Sequence, residues 1–158
     1  MPRGDAILSI LTLGAAVASC APGPEPGPAR GDPQTLIHPS GLVVEDLRVG
    51  EGPLCEPGST VTVHYTGELL DGAVFDSTRP VRDHPGRGRS MTFDLNDMIA
   101  GWREGVPGMR VGGERRLVIP SHLAYGETGR PPRIPPNAIL VFTIELLDAQ
   151  APDEAPAP

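Results

Sequence analysis

The chain predicts an α+β fold, an antiparallel sheet of five or six strands wrapped around one short helix. Three features of the sequence lead there. Thr60 to Leu69 alternates, with Val61, Val63 and Tyr65 on one face and Thr60, Thr62, His64 and Thr66 on the other, which is the period of a half-buried strand. Asp71-Gly72 follows that run and is a strong hairpin signal. Only Asn96 to Val106 carries apolar residues at helical spacing, namely Met98, Ile99, Trp102 and Val106. A lone helix must bury its apolar stripe against a sheet, and one helix segregated to a face of an antiparallel sheet is the α+β solution.

Taken in order, the chain begins with a segment that reads as an export signal. Ala6 to Val17 is an apolar stretch of 12 residues, short of the ~20 that span a bilayer. Val17-Ala18-Ser19-Cys20 follows, and small residues before a Cys resemble the lipobox of bacterial lipoproteins, whose Cys is acylated. Residues 1–20 are therefore expected to be a signal peptide with Cys20 as the lipidation site, placing the protein in the bacterial cell envelope on a lipid anchor. Each buried CH₂ of an acyl chain contributes ~0.8 kcal/mol, so several chains hold firmly. Six prolines lie between Pro22 and Pro39, so residues 21–39 read as an extended tether. Residues 149–158 form a second tail of that type, leaving residues 40–148 as the folded domain.

Within that domain Leu42 to Val49 reads as the first strand and Thr60 to Leu69 as the second. Gly50 to Pro53 and Glu56 to Gly58 are turns. Val74 to Ser77 is a short returning strand, and Met91 to Leu95 another. Between them Thr78 to Ser90 is a loop bearing Arg79, Arg82, Arg87 and Arg89, read as solvated or as a contact for an anionic partner. Asn96 is a good N-cap and Asp97 suits the positive end of a helix dipole. Gly105, Pro107 and Gly108 stop the helix within about three turns. Glu114 to Ile119 and Ile139 to Leu147 are strands, separated by a Gly- and Pro-rich loop from Ser121 to Asn137 that carries Tyr125.

Composition excludes several functions. The formal charge is −7 and the pI near 5.0, against the basic face that nucleic-acid binding requires. All 13 basic residues are Arg, which reflects composition before function. If Cys20 is acylated, Cys55 has no intramolecular partner, so it is expected to be a small half-buried residue rather than part of a disulfide. His38, His64, His84 and His122 show no metal-ligand spacing, and no metal or cofactor is expected.

Several of these segments together resemble the FKBP-type peptidyl-prolyl isomerases. Val63-His64-Tyr65-Thr66-Gly67, Asp71-Gly72 and Phe75-Asp76-Ser77 are similar to that family's opening, and Ile99 to Val106 to its central helix. Ala124-Tyr125-Gly126, Ile134-Pro135-Pro136-Asn137 and Leu140 to Leu147 are similar to its flap and last strand. The resemblance implies a hydrophobic pocket between sheet and helix that accepts a proline ring. Tyr65, Phe75, Asp76, Ile99 and Tyr125 would act on the peptide: aromatic walls, an acidic group near the amide, a backbone N–H donor and a rim hydroxyl. Met91, Met98, Trp102, Ile134 and Phe142 would bind the ring and its flanks, with Trp102 as floor. The resemblance leaves open whether Arg79 or Arg82 pairs with Asp76.

The implied activity is cofactor-independent rotation of X-Pro bonds in exported proteins. The alternative is a non-catalytic binding or chaperone module that holds Pro-containing segments in the same pocket. The implied partners are X-Pro polypeptides, macrolide inhibitors and, through the anchor, a membrane. A single domain with tails is expected to be a monomer.

Overall fold

The computed structural model describes residues 34–80 and 85–152. Cys20, the export signal and most of the tether lie outside the described residues, as do Arg82 and the end of the second tail. Seven strands make one antiparallel sheet: β1 (Gln34–Ile37), β2 (Val43–Arg48), β3 (Thr60–Leu69), β4 (Val74–Ser77), β5 (Met91–Asp94), β6 (Glu114–Ile119) and β7 (Leu140–Gln150). The order is β1-β2-β6-β7-β3-β4, with β5 also paired to β3. One helix, α1 (Ala100–Gly105), packs against the sheet. Among the described residues no helix is long and apolar enough to cross a membrane.

The α+β class and the wrapped helix are as expected, but the strand count exceeds five or six. The additional strand is β1, inside the segment read as tether. All four of its residues are exposed, so it shows no buried alternation, and its place rests on backbone pairing with β2, from Gln34 opposite Asp46 to Ile37 opposite Val43. At the other end β7 continues to Gln150, paired with Thr60.

The β3–β7 pair is the spine. Val61, Val63 and Tyr65 of β3 and Phe142, Ile144 and Leu146 of β7 point to one face and are buried, while Thr62, His64 and Thr66 point away, as the alternation requires. The Asp71-Gly72 hairpin forms: Gly72 takes φ +87°, and the Asp71 carboxylate accepts from the Ala73 N–H at 2.9 Å. That is an Asx turn followed by a left-handed residue that glycine adopts at little cost.

The helix starts later than its sequence implies. Asp94, not Asn96, acts as a cap: its carboxylate accepts from the Asn96 N–H at 2.8 Å and starts a 3₁₀ turn over Leu95–Asp97. Met98 and Ile99 are extended, and α1 begins at Ala100 with Ile99 as N-cap. The Ile99 carbonyl accepts from Trp102 at 3.0 Å and Arg103 at 3.1 Å. The stop is as expected, with Gly105 the last helical residue.

Two glycines decide how close α1 lies to the sheet. A Cβ on Gly101 would sit 2.4 Å from Ile119 Cγ2, and one on Gly105 2.6 Å from Leu117 Cδ2. Gly101 and Gly105 are four apart and share a helix face; Leu117 and Ile119 are two apart and share a strand face. Beyond them Arg115, 8% exposed, donates to Gly105 O at 2.7 Å and to Asp46 Oδ2 at 2.9 Å. It thus joins the negative end of the helix to β2 and β6.

Gly101→Ala gains about 1 kcal/mol of helix propensity, but forcing a methyl against a fully buried Ile costs about 1–3 kcal/mol. We expect a net lower urea midpoint. A midpoint equal to or above that of the unsubstituted chain would show that the helix has room to move off β6.

Candidate functional site

The concave face of the sheet and α1 enclose a cavity of about 590 Å³. All ten side chains expected to form a site line it: Tyr65, Phe75, Asp76, Met91 and Met98, then Ile99, Trp102, Tyr125, Ile134 and Phe142. The structure also places there Phe93, Arg87, Asp97, and the flap residues Arg130 and Arg133.

Trp102 is the floor, 1% exposed. Tyr65, Phe93 and Phe142 meet its indole nearly at right angles, at 84°, 82° and 86°, with centroids 5.4 to 5.7 Å away. Each edge-to-face pair contributes about 0.5–1.5 kcal/mol beyond area burial. The buried indole Nε1–H has no hydrogen-bond partner among the described residues, consistent with an apolar surround. Phe75 extends the wall by an edge contact with Phe142, 5.5 Å between centroids. Gly67 permits that approach, because a Cβ there would lie 2.6 Å from Phe75 Cζ and 2.9 Å from Phe142 Cε1.

Phe93 was not among the expected residues. Met91 and Phe93 are two apart on β5 and share a face. The family pattern pointed to Met91 alone, but strand period also implicates Phe93.

The polar side of the cavity centres on Asp76. Its Oδ2 accepts from the Tyr65 hydroxyl at 2.6 Å and from Arg87 Nη2 at 2.9 Å, and its Oδ1 from Arg87 Nε at 3.2 Å. The arginine that pairs with Asp76 is therefore Arg87. Of the two expected, Arg79 turns to Glu145 on β7 and Arg82 lies outside the described residues. The reason is the path of the loop: the N–H groups of Arg87 and Gly88 donate to Ser77 O and Thr78 O, both at 3.0 Å. Those bonds fold the loop back along the end of β4, carrying Arg87 to the carboxylate.

Burial alone would raise the Asp76 pKa. Hydrogen bonds from Arg87 and Tyr65, with the Arg87 charge, overcome this and hold it below the ordinary carboxylate value. Burial pushes the Tyr65 hydroxyl up, and the Asp76 carboxylate adds to that, so Tyr65 stays protonated with its hydrogen committed to Asp76.

Two donors beside the aromatic rings can hold carbonyls of a bound molecule. The Ile99 N–H precedes the first turn of α1, and no partner holds it among the described residues. The Tyr125 hydroxyl accepts from Arg130 Nη1 at 3.5 Å, leaving its own hydrogen free. Tyr125 is held by the flap, which is closed at its base by Asn137 N–H to Gly126 O at 2.9 Å. Ile134, 3% exposed, pins the flap to the core.

Because Asp76 has a depressed folded-state pKa, its contribution to stability is full above the unfolded value near 3.8 and is lost as pH falls through the lower folded value. We expect the folded chain to exceed Asp76→Asn in stability above that pH, with the gap closing below it. Urea titrations at a series of pH values test this, and a gap that does not change with pH would contradict it.

Residues 52–147 match the family model described as FKBP-type peptidyl-prolyl cis-trans isomerase. FK506-binding protein 4 of Rhizopus delemar is 45% identical over 109 residues, covering 69% of this chain and 27% of that protein. The FKBP-type peptidyl-prolyl cis-trans isomerase FkpA of Escherichia coli is 42% identical over 118 residues, covering 75% of this chain and 41% of that protein. The crystal structure of that FkpA aligns with a TM-score of 0.67 at 40% identity, covering 75% of this chain and 52% of that one. The crystal structure of AtFKBP13 aligns at 0.65 and 37%, covering 75% and 99%. This chain thus spans well under half the length of these curated relatives. It belongs to the FKBP-type peptidyl-prolyl cis-trans isomerase family.

Proposed function

We propose that the chain is a peptidyl-prolyl cis-trans isomerase that receives a proline ring on the indole of Trp102. The observation that carries this is the aromatic enclosure: a buried indole floor with three rings edge-on around it and two free donors at the rim. Family membership supports the activity.

Rotation about an X-Pro bond is opposed by amide resonance, a barrier near ~20 kcal/mol. As the bond twists, the nitrogen becomes pyramidal and charge separation falls. An apolar enclosure disfavours the planar, more polar amide relative to that twisted state. The walls hold the ring, while the Ile99 N–H and Tyr125 O–H fix the flanking carbonyls, so that rotation proceeds about one held end. Each tenfold acceleration needs ~1.4 kcal/mol, within reach of a few such contacts. Asp76 is locked as a carboxylate by Arg87 and oriented by Tyr65, presenting a fixed ion pair beside the pocket. No covalent step occurs. Relatives named for binding FK506 support the reading that macrolides occupy the same cavity.

A proline-peptide exchange assay on the purified chain tests the activity. Acceleration above the uncatalysed rate is expected. Binding without acceleration would identify the non-catalytic alternative. Tyr125→Phe removes one rim donor and should lower kcat/KM by about three- to tenfold, with little change in the unfolding midpoint. Unchanged kinetics would remove Tyr125 from the mechanism.

We propose further that the protein is exported and lipid-anchored through Cys20, serving X-Pro bonds of exported chains. The support is the apolar stretch followed by Val17-Ala18-Ser19-Cys20. Cys20→Ser should move the protein from the membrane to the soluble fraction of the producing cell. An unsubstituted protein already soluble after export would overturn the anchor.

A further inference from the structure

The mouth of the pocket carries charge that the mechanism above does not use. Arg130 and Arg133 both line the cavity from the flap, and both are exposed. Arg130 touches Tyr125, its guanidinium carbon 5.9 Å from the ring centroid. Arg133 donates one N–H to Phe75 O at 3.1 Å, and its other donors have no partner among the described residues. None of the six ion pairs among the described residues involves either one. The other cation lining the pocket among the described residues, Arg87, is paired with Asp76. The one further carboxylate lining the cavity among the described residues, Asp97, stands on the helix side and pairs with neither flap arginine.

Their positions are held by backbone rather than chance. Arg130 N–H donates to Ile134 O at 2.8 Å, and Ile134 N–H returns to Arg130 O at 3.0 Å. Pro131 and Pro132 stand between, each with φ locked by its ring, and buried Ile134 anchors the turn. Two guanidinium groups therefore stand on a stiff turn beside the place where the residues next to a bound proline leave the pocket. This is a local positive field on a chain whose formal charge is −7. Guanidinium forks match carboxylates in geometry and are weakly hydrated.

We propose that the flap selects substrates, favouring X-Pro segments with a side-chain carboxylate on the residue directly before or after the proline, received by Arg130 and Arg133. The inference rests on the isomerase reading only for the place where the proline sits.

Trp102 is the sole tryptophan and floors the pocket, so its fluorescence reports occupancy without requiring catalysis. The full chain is titrated with neutrally capped Ala-Xaa-Pro-Phe and Ala-Phe-Pro-Xaa peptides, where Xaa is Glu, Gln or Lys, and exchange rates are measured by NMR on the same set. In at least one position Glu should bind about three- to tenfold more tightly than its isostere Gln, with Lys weakest. The preference should shrink at about 1 M salt, where the Debye length falls to ~3 Å. It should disappear in the double variant Arg130→Gln, Arg133→Gln and persist in Arg103→Gln, an exposed arginine of α1 that does not line this pocket.

Equal affinity for Glu and Gln peptides in the unsubstituted chain overturns the proposal, as does a Glu preference that survives the double variant. Selective binding of Glu peptides without faster exchange would sustain this inference and refute the isomerase activity. Faster exchange with no distinction among the peptides would do the reverse.

Discussion

The close approach of α1 to β6 is the constraint on which the site depends. With glycine at 101 and 105, the helix backbone rests directly on Leu117 and Ile119. Trp102 lies one residue on, about 100° around the helix, and this places its indole against the rings rather than out in solvent. A helix of six residues has little stability of its own, so packing and the two ends must hold it. Arg115 holds the C-terminal end, and the extended Met98-Ile99 step sets the other. That step also leaves the Ile99 N–H free, so the packing that places the floor also exposes a donor at the rim.

A second constraint comes from hydroxyls buried under the loop after β4. Ser77 and Thr78 are both fully buried. The Thr78 hydroxyl lies 2.9 Å from the Tyr65 N–H and accepts from it, and the Ser77 hydroxyl donates to Arg79 O at 2.7 Å. Buried polar groups have to find partners, and these find them across β3 and within the loop. The outcome is a rigid base beside Asp76, from which the loop returns to deliver Arg87. Asp76 can remain ionised while partly buried because that delivery is determined by backbone bonds, not by side-chain reach alone.

Strand period and turn chemistry made β3, the hairpin and β7 legible, since each is dictated locally. Family motifs located the aromatic residues that close on Trp102, with the exception of Phe93. Four-residue β5 is too short for its alternation to stand out, so Phe93 is not marked by sequence as Met91's neighbour on that face. What sequence left illegible was nonlocal. Arg87 reaches Asp76 because the loop is bonded back to Ser77 and Thr78, which no spacing rule encodes. Strand β1 has no buried face, so it exists only through its partner. The helix start is ambiguous in sequence because Asp94 and Asn96 are both good caps, and it is Asp94, ending β5, that caps the turn before α1.

The flap shows why the loops here are as definite as the sheet. Gly126, Gly129 and Asn137 all take positive φ, at 59°, 62° and 58°. Only glycine, and less readily asparagine, adopts that region at modest cost. Gly129 has a second reason, since a Cβ there would lie 2.6 Å from Ile134 O. These residues bend the chain where the backbone bonds of the flap require it, and Ile134 then ties the turn into the core. A loop built this way holds its side chains at fixed places without burying them. Tyr125, Arg130 and Arg133 therefore stand at the rim, above buried Trp102 and its neighbouring rings. Under the proposed function, grip on a proline ring and discrimination among its neighbours would thus fall to different parts of the molecule, the first to packing around α1 and the second to the backbone of the flap.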